Sequence, residues 1–158
     1  MPKSIRSVLL ATGLIGVLAG TVLATPGSNL SPTIMSRGTV SETVHFNTGE
    51  VKFQTKAAVD IVTQTITFGA PSTSGWHSHP GVVLVTVASG SLVRYDAHCS
   101  PTVHAAGSAF VEAGNHPGLV RNESTTTAAI VFVTYVVPEG TADLDLRINQ
   151  DNPGCAEE

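Results

Sequence analysis

Gly75-Trp-His-Ser-His-Pro-Gly81, running straight into Val82-Val-Leu-Val-Thr-Val-Ala-Ser-Gly90, decides how the chain is read. The apolar run after Gly81 is β-branched, bounded by glycine, and too short for a buried helix, so it predicts a strand. Working outward, residues 59–68 alternate as VDIVTQTITF and are expected to break at Gly69-Ala-Pro71. Residues 43–47 and 51–55 flank Gly49 as a hairpin would. Downstream, residues 91–96 are expected to pair with 82–88 across the Ser89-Gly90 turn. Residues 109–112, 119–122, 128–137 and 144–148 complete the set of strands. No window of adequate length carries a helical period. Many short strands at regular spacing, punctuated by Gly, Pro, Ser and Asn, predict an all-β sandwich or closed barrel. Closure also removes the exposed edges that strands as apolar as VVLVTV would otherwise offer.

The two ends frame this domain. Lys3 and Arg6 precede an uncharged run from Val8 to Ala24, and Val22 and Ala24 are small enough for a signal-peptidase site. Residues 1–24 therefore read as a signal peptide cleaved after Ala24. The run is interrupted by Gly13, Gly16 and Gly20, so it is a poor spanning helix, and no stable membrane span is expected after cleavage. Residues 25–42 read as a flexible arm, 43–155 as one domain and 156–158 as a short tail. Losing Lys3 and Arg6 takes the formal net charge from −4 to about −6. With no basic stripe and 5% aromatic residues, the footprint of a nucleic-acid binder is missing. The protein is expected to be secreted or otherwise extracytoplasmic. There Cys99 and Cys155, the two cysteines of the chain, have one intramolecular pairing open to them, which the chain-entropy model values at about 4 kcal/mol.

His77 and His79 stand at i and i+2, so on a strand both point to one face. On the inward face of a small barrel, both imidazoles reach one cation at roughly 2.0–2.2 Å. With Gly75 before the pair, Pro80-Gly81 after it, and a strand leading to Ser89-Gly90, the segment resembles the first motif of the cupin superfamily. Gly107, Ala113-Gly114 and Arg121-Asn122 are similar to its second motif. GWHSHPG, AFVEAG, LVRNE and LRINQDNPGC look like a group of small exported bacterial cupins, over roughly residues 43–155. The resemblance implies a cupin-like double-stranded β-helix, a jelly-roll barrel. It also implies a divalent transition metal (Fe, Mn, Ni, Cu or Zn), dioxygenase- or isomerase-type chemistry on a small molecule, and a homodimer as a common assembly.

This chain departs from the motifs at two ligand positions. Val83 stands where the family has a glutamate, and Gly118 where it has the second-motif histidine. His116, two residues before Gly118, is a candidate third ligand. Glu112, if it faces inward, would rebuild a two-histidine, one-carboxylate set. The alternative is a non-catalytic barrel that has lost its metal and binds a small ligand or serves a structural role.

Other candidates are weaker. His45, His98 and His104 have no partner at ligand spacing. Trp76 should point away from His77 and pack against the exterior or a loop. Arg94 and Arg121 are positioned to line a barrel mouth, although a single arginine on a strand is more often a surface residue. No nucleophile elbow, phosphate loop or dinucleotide fingerprint is present, so the catalytic residues stay unassigned.

Overall fold

The computed structural model describes residues 25–156, and the signal peptide read in residues 1–24 lies outside the described residues. The chain folds as an all-β barrel of jelly-roll type, as the sequence predicts. The barrel strands are β4 (Val59–Thr73), β5 (His77–Ser78), β6 (Val82–Ser89), β7 (Ser91–Tyr95), β8 (Pro101–Ala105), β9 (Ala109–Ala113), β10 (Leu119–Asn122) and β11 (Ala129–Pro138). All of them except β5, which lies outside this sheet, hydrogen-bond in the order β8-β7-β10-β4-β11-β6-β9. Most strands consecutive in the chain are therefore not neighbours in the sheet. They alternate between two opposed faces, which is the double Greek-key arrangement of a jelly roll.

β4 belongs to both faces. Residues 59–68 pair with β11, whereas Ser72 and Thr73 pair with Asn122 and Arg121 of β10. The expected break at Gly69-Ala-Pro71 is thus a passage from one face to the other, made through a cis Ala70–Pro71 bond without ending the strand. Asn122 holds this crossing. Its buried side-chain amide donates to the carbonyls of Phe68, Gly69 and Thr127 at 2.8–3.1 Å, so the backbone groups freed by the bend are satisfied.

Three expectations are corrected. β7 pairs with β8 and β10, not with β6. A lone Gly90, at φ +75°, separates β6 from β7, too short a link for the chain to double back, so the chain turns a corner between faces. The arm expected at 25–42 is largely β1 (Ser28–Val40), antiparallel to β4 along most of its length. Its Thr, Ser, Ile and Val residues suit a strand, and β4 offers a free edge on the side away from β11. The strand expected at 144–148 is a 3-10 turn over Asp143–Leu146 followed by β12 (Ile148–Asn149), which pairs with β5. β2 (His45–Asn47) and β3 (Lys52–Gln54) form the expected hairpin.

Alternation along β4, β6 and β11 sends Val62, Phe68, Val83, Val85, Val87, Val131, Val133 and Val137 inward with Leu92 and Val120. Each such side chain contributes roughly 1.5–3 kcal/mol on leaving water. Over the end of the barrel beside β5, the C-terminal segment folds back. Leu146 enters the core, Gln150 N–H donates to the Trp76 carbonyl, and Cys155 is bonded to Cys99, 56 residues apart in sequence. Disulfides of this kind form and persist in oxidising environments. No helix of the described residues is long and apolar enough to cross a membrane.

Candidate metal centre

β5 is two residues long, but its position is fixed from both sides. His77 and Gly118 exchange backbone hydrogen bonds (2.9 and 2.8 Å), and β12 covers the opposite edge. His77 and His79 therefore point together into the barrel, 6% and 5% exposed, with ring centroids 4.9 Å apart and planes nearly perpendicular.

The third member is Glu112. In the β6–β9 ladder, Glu112 lies directly opposite Val83. Cross-strand partners share a face of the sheet. A carboxylate absent at position 83 is thus supplied from the facing position on the next strand, pointing into the same interior. Glu112 Oε2 lies 3.3 Å from His79 Nε2 and 3.7 Å from His77 Nε2. One potential ligand atom from each of the three residues falls within 4.8 Å of the others, and all three residues are buried. Gly118, where a histidine is missing, supplies the room. A Cβ there would stand 3.1 Å from Glu112 Oε1.

The neighbouring hydrogen bonds fix the ring states. His77 Nδ1 faces the Gly75 carbonyl at 2.9 Å and His79 Nδ1 faces the Leu146 carbonyl at 2.7 Å. A carbonyl only accepts, so each Nδ1 carries the proton and donates. Both Nε2 atoms then point at the same carboxylate oxygen, as lone pairs where the rings are neutral and as N–H donors where they are charged. Burial alone would push the Glu112 carboxyl up, but the hydrogen bonds and charge of His77 and His79 together hold it well below the usual carboxylate range. It is an anion. Its other oxygen, Oε1, accepts from Arg94 Nε at 3.2 Å, which leaves Oε2 for the centre.

A cavity of about 70 Å³ adjoins the two imidazoles, walled by apolar side chains such as Leu92, Phe110 and Val133. Tyr135 also lines it. Burial, with the Glu112 charge adding to it, pushes the Tyr135 phenol up, so the hydroxyl stays protonated and donates to Gln64 Oε1 at 2.8 Å.

The structure brings His77, His79 and Glu112 together and leaves His116 out. His116 is exposed on the turn that Gly114 opens at φ +58°, and it is not in the cluster of potential ligands found among the described residues. Trp76, as expected, packs away from the histidines, beside the Cys99–Cys155 bridge. Sequence reading missed two supports: the Arg94 contact with Glu112, and the Leu146 carbonyl that orients His79. The first had no signal, because Arg94 on β7 and Glu112 on β9 meet only in the folded barrel. The second had none, because Leu146 lies 67 residues away in sequence.

No family model matches this chain, and no curated protein matches it. Among solved structures it is similar to an RmlC-like cupin from Shewanella frigidimarina (12% identity, 81% of this chain and 95% of that one, TM-score 0.49). It is also similar to a cupin domain from Bordetella pertussis (15% identity, 72% and 97%, TM-score 0.47). An oxalate oxidase in complex with glycolate matches at 21% identity and TM-score 0.42 over 47% of this chain, which spans 40% of that protein's length. The barrel assignment itself rests on the strand order and register described above.

Proposed function

We propose that this cupin-like barrel is an exported metal-binding protein. His77, His79 and Glu112 hold one divalent transition ion (Fe, Mn, Ni, Cu or Zn), and a small molecule is bound in the adjoining cavity. One observation carries the reading. Both Nδ1–H groups are committed to backbone carbonyls, so two Nε2 lone pairs and an anionic oxygen converge on one point. Three electron-rich atoms directed at one another in a buried site are costly unless positive charge stands between them, and a metal ion supplies it without disturbing either Nδ1–H bond. Metal-bound histidines characteristically donate their second nitrogen to a carbonyl or carboxylate in this way.

Two imidazoles and one carboxylate suit a non-haem iron, manganese or zinc ion, and the coordination positions they do not fill are left to a water or a ligand. Bound there, the ion would act as a Lewis acid toward a molecule in the cavity. This chain's own residues contribute the rest. Arg94 holds Glu112 so that one oxygen faces the histidines, the apolar wall excludes bulk water, and Tyr135 presents a hydroxyl that does not lose its proton. The cavity admits a molecule of only a few heavy atoms.

Metal analysis of the exported protein tests this. Near-stoichiometric metal is expected in the wild type and loss of it in the His77→Ala/His79→Ala double variant. Equal emptiness of the two after incubation with each candidate ion would overturn the proposal. N-terminal sequencing of the same sample is expected to begin at Thr25.

A second reading has its own support in the Arg94 contact. Glu112 with Arg94 and protonated histidines would form a buried ion cluster complete without metal, in a barrel that binds its ligand without catalysis. The metal measurement separates the two.

A further inference from the structure

Two arginines serve the interior of the barrel, and they are placed differently. Arg94 is paired with Glu112. Arg147, directly after Leu146 on the C-terminal segment, lines the same cavity as His77, His79 and Tyr135, and no carboxylate among the described residues pairs with it. Of the five N–H groups of its guanidinium, one donates to the Asn149 side-chain oxygen and one to the Ser74 carbonyl, which leaves three. The side chain is partly buried. Burial pushes the guanidinium down from its ordinary value, yet an arginine keeps its charge in such a place. A desolvated cation without a counter-ion is costly to hold, and the arrival of an anion offsets that cost.

The other polar groups of the cavity wall are already engaged. Ser74 Oγ donates to the Gly75 carbonyl at 2.9 Å and accepts from Val120 N–H at 2.8 Å. The Tyr135 hydroxyl donates to Gln64 Oε1. Both Nδ1–H groups of His77 and His79 are taken by backbone carbonyls, and their Nε2 atoms face Glu112. The remaining lining side chains are apolar, Leu30, Ile66, Leu92 and Val133 among them. A polyol or a sugar would bury hydroxyls that find no partner there. A molecule with one group that accepts from a guanidinium, on an otherwise apolar body, leaves nothing unpaired. Glu112 also decides where the anion lies. Beside Glu112 a second carboxylate meets like charge, whereas at Arg147 it meets opposite charge.

We propose that the cavity takes a short monocarboxylate with an apolar tail, its carboxylate held by Arg147 and its tail lying against the apolar wall. The inference rests on the reading that a small molecule occupies this cavity, but not on the metal. A planar guanidinium with uncommitted N–H groups offers a carboxylate a two-point contact, which the point charge of a lysine does not. A volume of about 70 Å³ limits the tail to a few carbons, so propionate is a suitable probe. The C-terminal segment thus supplies the group that selects the ligand, while His77, His79 and Glu112 supply the metal site.

Ligand-observed NMR titration of the full chain with propionate, propionamide and inorganic phosphate tests this, on metal-loaded and on chelated protein. The wild type is expected to bind propionate about 10–100-fold more tightly than propionamide, the range of a charge-assisted contact, with or without metal. Arg147→Met is expected to abolish that preference and Arg147→Lys to keep part of it, both with the Cys99–Cys155 bond intact. The comparison of acid with amide needs no variant, so it decides even where R147M fails to fold. No binding of propionate at ~50 mM overturns the proposal. Equal binding of propionamide overturns it, as does a preference that R147M retains. Phosphate that displaces propionate at equal concentration overturns it in favour of a general anion site. Binding that is lost on chelation overturns it by placing the carboxylate on the ion. A preference that depends on Arg147 in a chain that takes up no metal supports it while removing the metal centre, so the two readings fail separately.

Discussion

Glu112→Gln keeps the size of the side chain and its bond from Arg94 while removing one negative charge from the centre. If an ion sits among His77, His79 and Glu112, stability depends on metal through linkage. An ion at 100 times its dissociation constant adds about 2.7 kcal/mol to the native state. For a barrel of this length, 1 kcal/mol moves the melting temperature by roughly 3–5 °C, so saturating metal should raise it by about 10 °C. Replacing the one anionic ligand by a neutral amide leaves two imidazoles, and the same metal concentration then falls near or below the new dissociation constant. The metal-dependent shift in E112Q should shrink to less than about 2 °C. The metal-free proteins discriminate further. In a purely structural ion cluster, Glu112 balances protonated histidines, and breaking a buried pair costs about 3–5 kcal/mol whether or not metal is added. In a metal centre the chelated proteins should melt within about 3 °C of each other, because the metal-free wild type gains little from a carboxylate facing two lone pairs. Calorimetry of wild type and E112Q, each chelated and each saturated, gives the four values required. A large loss in E112Q that is equal with and without metal would refute the reasoning.

Gly118→Ala should weaken metal binding by roughly 10–100-fold, the range for a disturbed ligand support, because its Cβ would press within 3.1 Å of Glu112 Oε1. Isothermal titration would show this, and an unchanged affinity would mean that Glu112 needs no such room. Cys99→Ser/Cys155→Ser releases a bridge spanning 56 residues and should cost about 4 kcal/mol in denaturant unfolding, with a loss below about 1 kcal/mol contradicting the role given to the staple. Asp60 is buried and held below the usual aspartate range, first by the Thr39 hydroxyl and then by the Gly140 N–H and Arg37 against an opposing effect of burial. A depressed native value means the unfolded chain takes up its proton first. This stabilisation is therefore present above the ordinary aspartate pKa and is lost as pH falls through the native one. Asp60→Asn should flatten that acid limb of the stability curve, and an identical limb would remove Asp60 from the account.

The strand set and the inward-facing histidine pair were legible because both depend on local alternation, which a sequence displays directly. The all-β class follows from segments such as VDIVTQTITF and VVLVTV. What escaped was whatever depended on which strands meet. Residues 91–95 read as the hairpin partner of 82–89, because adjacency in sequence is the default. In the barrel the partner is set by closure, and Gly90 turns a corner instead. β1 read as an arm because its residues follow no clear period, and its structure comes from the open edge of β4. Position 83 shows the same limit at the site: the carboxylate lost there reappears at position 112, across a ladder that forms only in the folded chain. His116 looked suitable for its closeness in sequence to Gly118, yet the turn at Gly114 carries it outward.

The carbonyl that orients His79 belongs to Leu146, 67 residues further along the chain. The segment that carries it lies over the barrel end and is secured by the Cys99–Cys155 bond. Until the segment is seated, nothing dictates which nitrogen of His79 bears the proton. The proposed ligand set is therefore fully oriented only with this segment in place, and the bond that secures it forms in an oxidising compartment. The ion that fills it would be drawn from whatever that compartment offers, even where a different metal prevails at the place of synthesis.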